Sequence, residues 1–183
     1  MISLVRKRRS IRTYTREPVE RKSLDLLVEA LLRAPSSRNR QPWEFVIVDD
    51  PELLSKLAEA KEHGSQFLRN APLGIVVCAD STKSDVWVED CSIAAILVQL
   101  AAQSLGLGNC WIQIRKRMHD GQKSAEKHVQ DILGLPEVIK VLAIVSIGHP
   151  DETKEPIPNS ALGYNQVKHN GYDNDYGITS SVA

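Results

Sequence analysis

At 183 residues the chain is long enough for one domain with a substantial core and short for two. Lysine plus arginine and aspartate plus glutamate each number 23, so the neutral overall charge supports neither a nucleic-acid partner nor an acidic membrane surface. Cys78, Cys91 and Cys110 are odd in number, widely spaced and set in apolar surroundings, which reads as reduced core thiols of a cytoplasmic protein, not a disulfide framework.

The N-terminus MISLVRKRRS carries its charges after a short apolar stretch, the reverse of a secretory signal. Residues 3–9 suit a short helix. Residues 20–33 suit a stronger one, with Leu24, Leu27, Val28, Leu31 and Leu32 at helical spacing and Pro35 marking its end. Residues 45–48 read as a strand, after which Asp50 and Pro51 supply an N-cap and a first-turn proline for a helix to about residue 60. Residues 73–79 are a second apolar strand. The longest helical candidate, residues 87–105, has a wide face rich in small residues and is expected to be central, packed closely, even against another subunit. Gly106 and Gly108 end it; a short strand at 110–114, a helix at 125–133 and a long apolar strand at 138–147 follow. No apolar run approaches the roughly 20 residues of a membrane span, so a soluble protein without a membrane partner is expected. From His149 onward prolines, glycines and asparagines replace any apolar period, and the segment cannot bury a core of its own. Tyr164, Tyr172 and Tyr176 suit anchoring along a neighbouring surface, and the first half of the segment is expected to be an arm over a partner subunit, the rest a tail.

Three stretches carry candidate chemistry. Arg8, Arg9, Ser10 and Arg12 place three cations and a hydroxyl within five residues, and guanidinium forks match the several acceptor oxygens of a phosphate. The loop APSSRNRQPWEF offers Asn39 and Gln41, whose amide donors and acceptors suit the edge of a pyrimidine-like ring, with Ser36 and Ser37 adding short hydroxyl donors. The third, GLGNCWIQ, lacks the third glycine of a dinucleotide fingerprint and follows a helix instead of a strand. Each alone has a plainer reading: a solvated basic helix end, an ordinary loop after a helix stop, a helix C-cap leading into a strand. His63, His119, His128, His149 and His169 show no ligand spacing with the cysteines, so no metal site is expected.

Taken in order, RRSIR, APSSRNRQPWEFVIV, the small-residue helix ending in LGLGNCWI, the late SIGHP and the terminal VKHNGY resemble the nitroreductase family of FMN-dependent oxidoreductases. The resemblance covers nearly the whole chain. It implies an α+β fold of three layers, a mixed and mostly antiparallel sheet flanked by helices in an intertwined homodimer, where alternation of helices and strands alone suggests α/β. Residues 1–183 would be a single FMN-binding domain, with residues 163–183 its C-terminal arm or tail. The resemblance assigns Arg8, Arg9, Ser10 and Arg12 to the phosphate and ribityl chain of FMN. It assigns Pro35, Ser36, Ser37, Asn39 and Gln41 to the flavin of the other subunit, Trp111, Ile112 and Gln113 to the ring, and Gly148 to the phosphate end. One departure stands out: where many members carry a further cation after the late strand, this chain has only Lys154 nearby. The implied activity is ping-pong hydride transfer from NADH or NADPH through FMN to nitroaromatics, quinones or other electron-poor acceptors, with no catalytic side chain. The alternatives are a flavin-dependent dehalogenase or flavin-fragmenting enzyme on the same fold, or a flavin- or nucleic-acid-binding protein without turnover.

Overall fold

Apolar spacing and capping set the helices. The computed structural model describes residues 1–177 and contains α1 (Ile2–Lys7), α2 (Arg21–Leu32), α3 (Pro51–Ala58), α4 (Trp87–Ser104) and α5 (Ala125–Leu133). Asp50 caps α3 by accepting from the Leu53 N–H at 2.9 Å, with Pro51 in the first turn. Ser124 caps α5 through the Lys127 N–H, and Gly134 ends it at φ 66. The first helix stops two residues earlier than the expected 3–9, because Arg8 turns to extended backbone at ψ 124.

Four strands, β1 (Trp43–Val48), β2 (Leu73–Asp80), β3 (Gly108–Gln113) and β4 (Ile139–Gly148), form one sheet in the order β1-β2-β4-β3. Every neighbouring pair is antiparallel, and the parallel component is a single bridge between Ser10 and Asn109. β2 and β3 consequently point the same way, α4 carries the crossover between them, and β4 fills the gap. That insertion converts an alternating sequence into an α+β sheet.

Because β2 and β4 are central, both their faces are covered and both read as nearly unbroken apolar runs. Leu73, Ile75, Val77 and Ala79 pack with Leu27 and Leu31 of α2 and with Cys91, Ala94, Ala95 and Val98 of α4. Val76 and Cys78 face the other way, onto Leu54 and Leu57 of α3 and Val129 of α5. Each such leucine, isoleucine or valine contributes about 1.5–3 kcal/mol on burial. A bulge between Val77 and Cys78 turns Leu142 and Ala143 of β4 to the same face, which is why two consecutive residues join the α2/α4 layer.

On the α3/α5 side His119 and His128 stack with centroids 3.7 Å apart, and the Nε2 of His128 is buried without a partner. Burial, then His119 and Lys123, lower the His128 pKa, against a raising backbone hydrogen bond at Lys56 and the charge of Glu59. The folded state thus favours neutral His128, and this stability is present above the ordinary 6.5 and lost as pH falls below it. The melting temperature is expected to drop below pH 6.5, less steeply in His128→Phe. Equal slopes for the two proteins in thermal melts would refute this.

Residues 151–177 cross the surface with Ile157, Leu162, Tyr164, Val167, Tyr172 and Tyr176 exposed. The last six residues of the expected tail lie outside the described residues. No described helix is long and apolar enough to cross a membrane.

Candidate functional site

The segment after α1 is extended and crosses the end of the sheet where β3 begins and β4 ends. The Ile11 N–H donates to the Asn109 carbonyl, the Thr15 N–H to that of His149 and the Asp151 N–H to that of Thr13, each at 2.9 Å. Two glycines are required by this close approach. A Cβ on Gly108 would lie 2.8 Å from Ile11, and one on Gly148 would lie 2.5 Å from Pro72. The returning chain also supplies side chains: Glu152 accepts from the backbone N–H groups of Arg12 and Thr13, and Lys154 donates to the Ser10 carbonyl at 2.9 Å and pairs with Glu152 at 3.2 Å. The Arg12 N–H, then burial in opposition, then Lys154, leave the Glu152 carboxyl below its ordinary pKa. Arg9 donates to the Glu155 carbonyl.

The guanidinium groups of Arg8 and Arg12 have no carboxylate partner among the described residues; that of Arg12 lies 5.7 Å over the Phe67 ring. Burial raises the Cys110 thiol pKa, while Arg12, the Ser10 hydroxyl, Lys154 and Lys61 oppose it. Lys61 is itself lowered, by burial and then by Arg117. The charges of Arg12, Lys154 and Lys61 therefore act on Cys110 of β3, and that of Arg117 acts on Lys61. Sequence reasoning missed Lys61 and Arg117, which sit beyond α3 and in the loop after β3 with no local motif to mark them. Beside Arg12 a cleft of about 700 Å³ is lined by Thr13, Arg16, Arg69, Asn70 and Pro72 as well, with no carboxylate in its wall. A smaller pocket of about 230 Å³ lies against Lys7, Arg9, Gly108, Glu152 and Lys154.

Along the same edge, Ile112 is fully buried on one face of β3, while Trp111 packs on the α2/α4 side. The Trp111 indole N–H donates to Gln113 Oε1 at 2.9 Å and the Gln113 amide to the Arg115 carbonyl at 2.9 Å, so both side chains are held and the strand's outer backbone is what the edge offers.

The polar loop is elsewhere. Pro35 precedes a 3₁₀ turn at Ser37–Asn39, and Arg38, Asn39 and Gln41 hold φ of 52, 54 and 47. Non-glycine residues in the left-handed region cost about 1–2 kcal/mol each. The Gln41 N–H donates to Ser36 Oγ at 2.9 Å and its side-chain amide to Asn39 at 3.2 Å. Asp90 of α4, buried, accepts the Ser37 N–H at 2.8 Å and the Ser84 hydroxyl at 2.9 Å, and Arg40 pairs with Asp85 at 3.2 Å. Sequence reasoning missed Asp90 as well, because its partners lie 53 and 6 residues away.

The fold thus brings Ser10, Arg12, Gly148 and Lys154 together with β3 and keeps residues 35–41 apart from them. The loop leads into edge strand β1, whereas the arginine segment lies on edge strand β3; three strand spacings, about 14 Å, separate those edges. The loop is also tied to the start of α4, and the pocket of Arg9 borders Gln103 and Gly106 at its end, about 27 Å along an 18-residue helix. Among the described residues no three His, Cys, Asp or Glu side chains gather as metal ligands.

Residues 5–64 and 57–149 match the profile of the Nitroreductase family, and the chain belongs to that family. Its fold superposes on that of an FMN-dependent nitroreductase from Clostridium difficile R20291 with a TM-score of 0.92, at 47% identity, over 93% of this chain and 99% of that one. An Archaeoglobus fulgidus protein with the provisional name NADH dehydrogenase/NAD(P)H nitroreductase is 39% identical over 158 residues, 84% of this chain and 87% of its own length. The FMN reductase [NAD(P)H] of Bacillus subtilis is 29% identical in an alignment that covers 95% of this chain and 75% of its own length.

Proposed function

We propose that the chain is an FMN-dependent oxidoreductase that takes hydride from NADH or NADPH and passes it to nitroaromatics, quinones or similar electron-poor acceptors. The observation that carries this reading is the arginine segment, docked on edge strand β3 with the guanidinium groups of Arg8 and Arg12 free of ion pairs among the described residues. A dianionic phosphate fits the guanidinium groups of Arg8 and Arg12 with the Lys154 ammonium held at the Ser10 carbonyl beside Glu152. Arg8, Arg9, Ser10 and Arg12 would hold the phosphate and ribityl chain, with Lys154 beside Ser10 and Gly148 at the phosphate end. The backbone of Trp111, Ile112 and Gln113 would line the ring. Bound FMN supplies hydride acceptance and delivery at its N5, so the protein needs no acid, base or nucleophile of its own. The nitroreductase and reductase names of the relatives, both specifying NAD(P)H, support the choice of reductant.

In this reading the enzyme is a homodimer within the cytoplasm, each chain forming one FMN-binding unit. The separation of the two polar groups supports it: Pro35, Ser36, Ser37, Asn39 and Gln41 reach a flavin held on the β3 edge only when a second copy supplies one of the two. Ile93 and Ile96, 38% and 41% exposed on α4, and the uncovered apolar residues of the C-terminal arm offer surface for that copy.

The test is an absorbance spectrum of the purified protein, expected to be yellow and to bleach when NADH or NADPH is added without oxygen. A colourless protein that takes up no added FMN ends the reading.

A further inference from the structure

We infer that Asp90 is the positioning residue that holds the Pro35–Gln41 loop in shape for the flavin, a role resting on the function proposed above. Its carboxylate is 2% exposed, and its two oxygens are divided between the Ser37 N–H and the Ser84 hydroxyl. The residues that follow Ser37 are the ones forced to positive φ without the glycine that would make this easy: Arg38, Asn39 and Gln41. Left to itself, such a loop relaxes. Helix α4 begins at Trp87 and is buried through Cys91, Ala94 and Ala95, so Asp90 fixes one end of the strained turn to a helix packed in the core. The contacts within the loop, Gln41 to Ser36 and to Asn39, then propagate that fixed point to the side chains expected at the ring. Ligand affinity scales with the fraction of loop in the competent shape, so a distant carboxylate controls it without touching the ligand.

The test uses Asp90→Ala, Asp90→Asn and Ser84→Ala in the full chain, with two readouts. The first is independent of flavin: trypsin cleavage of the apoprotein after Arg38 and Arg40. Asp90→Ala is expected to be cut about tenfold faster or more, the equilibrium cost of one lost hydrogen bond to a charged group. The second is FMN affinity, expected to weaken by about tenfold or more, while kcat at saturating FMN stays close to wild type. Asp90→Asn keeps an oxygen for Ser37 and an amide N–H for Ser84, and is expected to rescue both readouts. Ser84→Ala, which leaves Ser37 bound but frees the other oxygen, falls between and carries the test should Asp90→Ala not fold. Wild-type cleavage in Asp90→Ala, or in Ser84→Ala where only that variant folds, shows that the carboxylate does not hold the loop. Faster cleavage with unchanged FMN affinity shows that the loop is not positioned for flavin. Both outcomes overturn the role of Asp90 and leave the wild-type spectrum, which tests the function itself, unaffected.

Discussion

Replacing Arg8 and Arg12 together by alanine is expected to weaken FMN binding by about 100-fold or more. Each guanidinium is available for charge-assisted hydrogen bonds to an anion, since neither is ion-paired within the described residues. One such bond contributes about 1.5–3 kcal/mol, and two together account for about 3–6 kcal/mol, or two to four powers of ten. Stability should hardly change, because Arg12 is exposed and the segment is held through its backbone at Ile11, Thr13 and Thr15, none of which the substitutions touch. Titration of apoprotein with FMN, followed by quenching of flavin fluorescence, reads the affinity, and a thermal melt checks the fold. Retention of affinity within about threefold, at an unchanged melting temperature, removes the arginine segment from the site.

Introducing glutamate at Ile93 and Ile96 is expected to have an equally large effect by a different route. The two side chains are one helical turn apart and exposed, on a helix whose other faces are already buried against the sheet and α2. In a symmetric dimer each substitution occurs twice, so four carboxylates enter one apolar contact, and desolvating them without partners costs several kcal/mol. Sedimentation is expected to shift from the mass of two chains to that of one. FMN affinity should fall by about 100-fold with it, because the loop at the β1 edge and the arginines at the β3 edge no longer meet. A variant that stays dimeric shows that Ile93 and Ile96 do not lie in the dimer contact. A monomer that binds FMN as tightly as wild type refutes the shared site.

The second experiment turns on a property no local stretch contains. The stretches that act locally were readable from the residues themselves. Asp50 and Pro51 start α3 because a cap and a first-turn proline are satisfied by atoms three residues away. The runs at 73–79 and 138–147 are strands because both faces of β2 and β4 are buried, and continuous apolar sequence is the mark of that. RRSIR stood out as a candidate anion grip for the same reason, its charges being neighbours in the chain.

Strand direction was not readable in this way. Alternating helices and strands favour parallel pairing, and the antiparallel sheet exists because β4, the last strand, inserts between β2 and β3, a contact between residues more than 30 apart such as Cys110 and Ser146. Nor did any local signal mark Asp90, Lys61, Arg117 or Arg69 as parts of a site, for each acquires its neighbours only on folding.

Sequence alone therefore determined which segments become helix or strand and which of them offer the side chains proposed for anion and ring-edge contacts, because caps, periodicity and charge clusters act over a few residues. Tertiary structure alone decided that the two polar groups lie on opposite edges of the sheet, and which buried carboxylate anchors one of them. Distances across a sheet depend on strand order, and strand order depends on long-range burial that no short window of residues expresses.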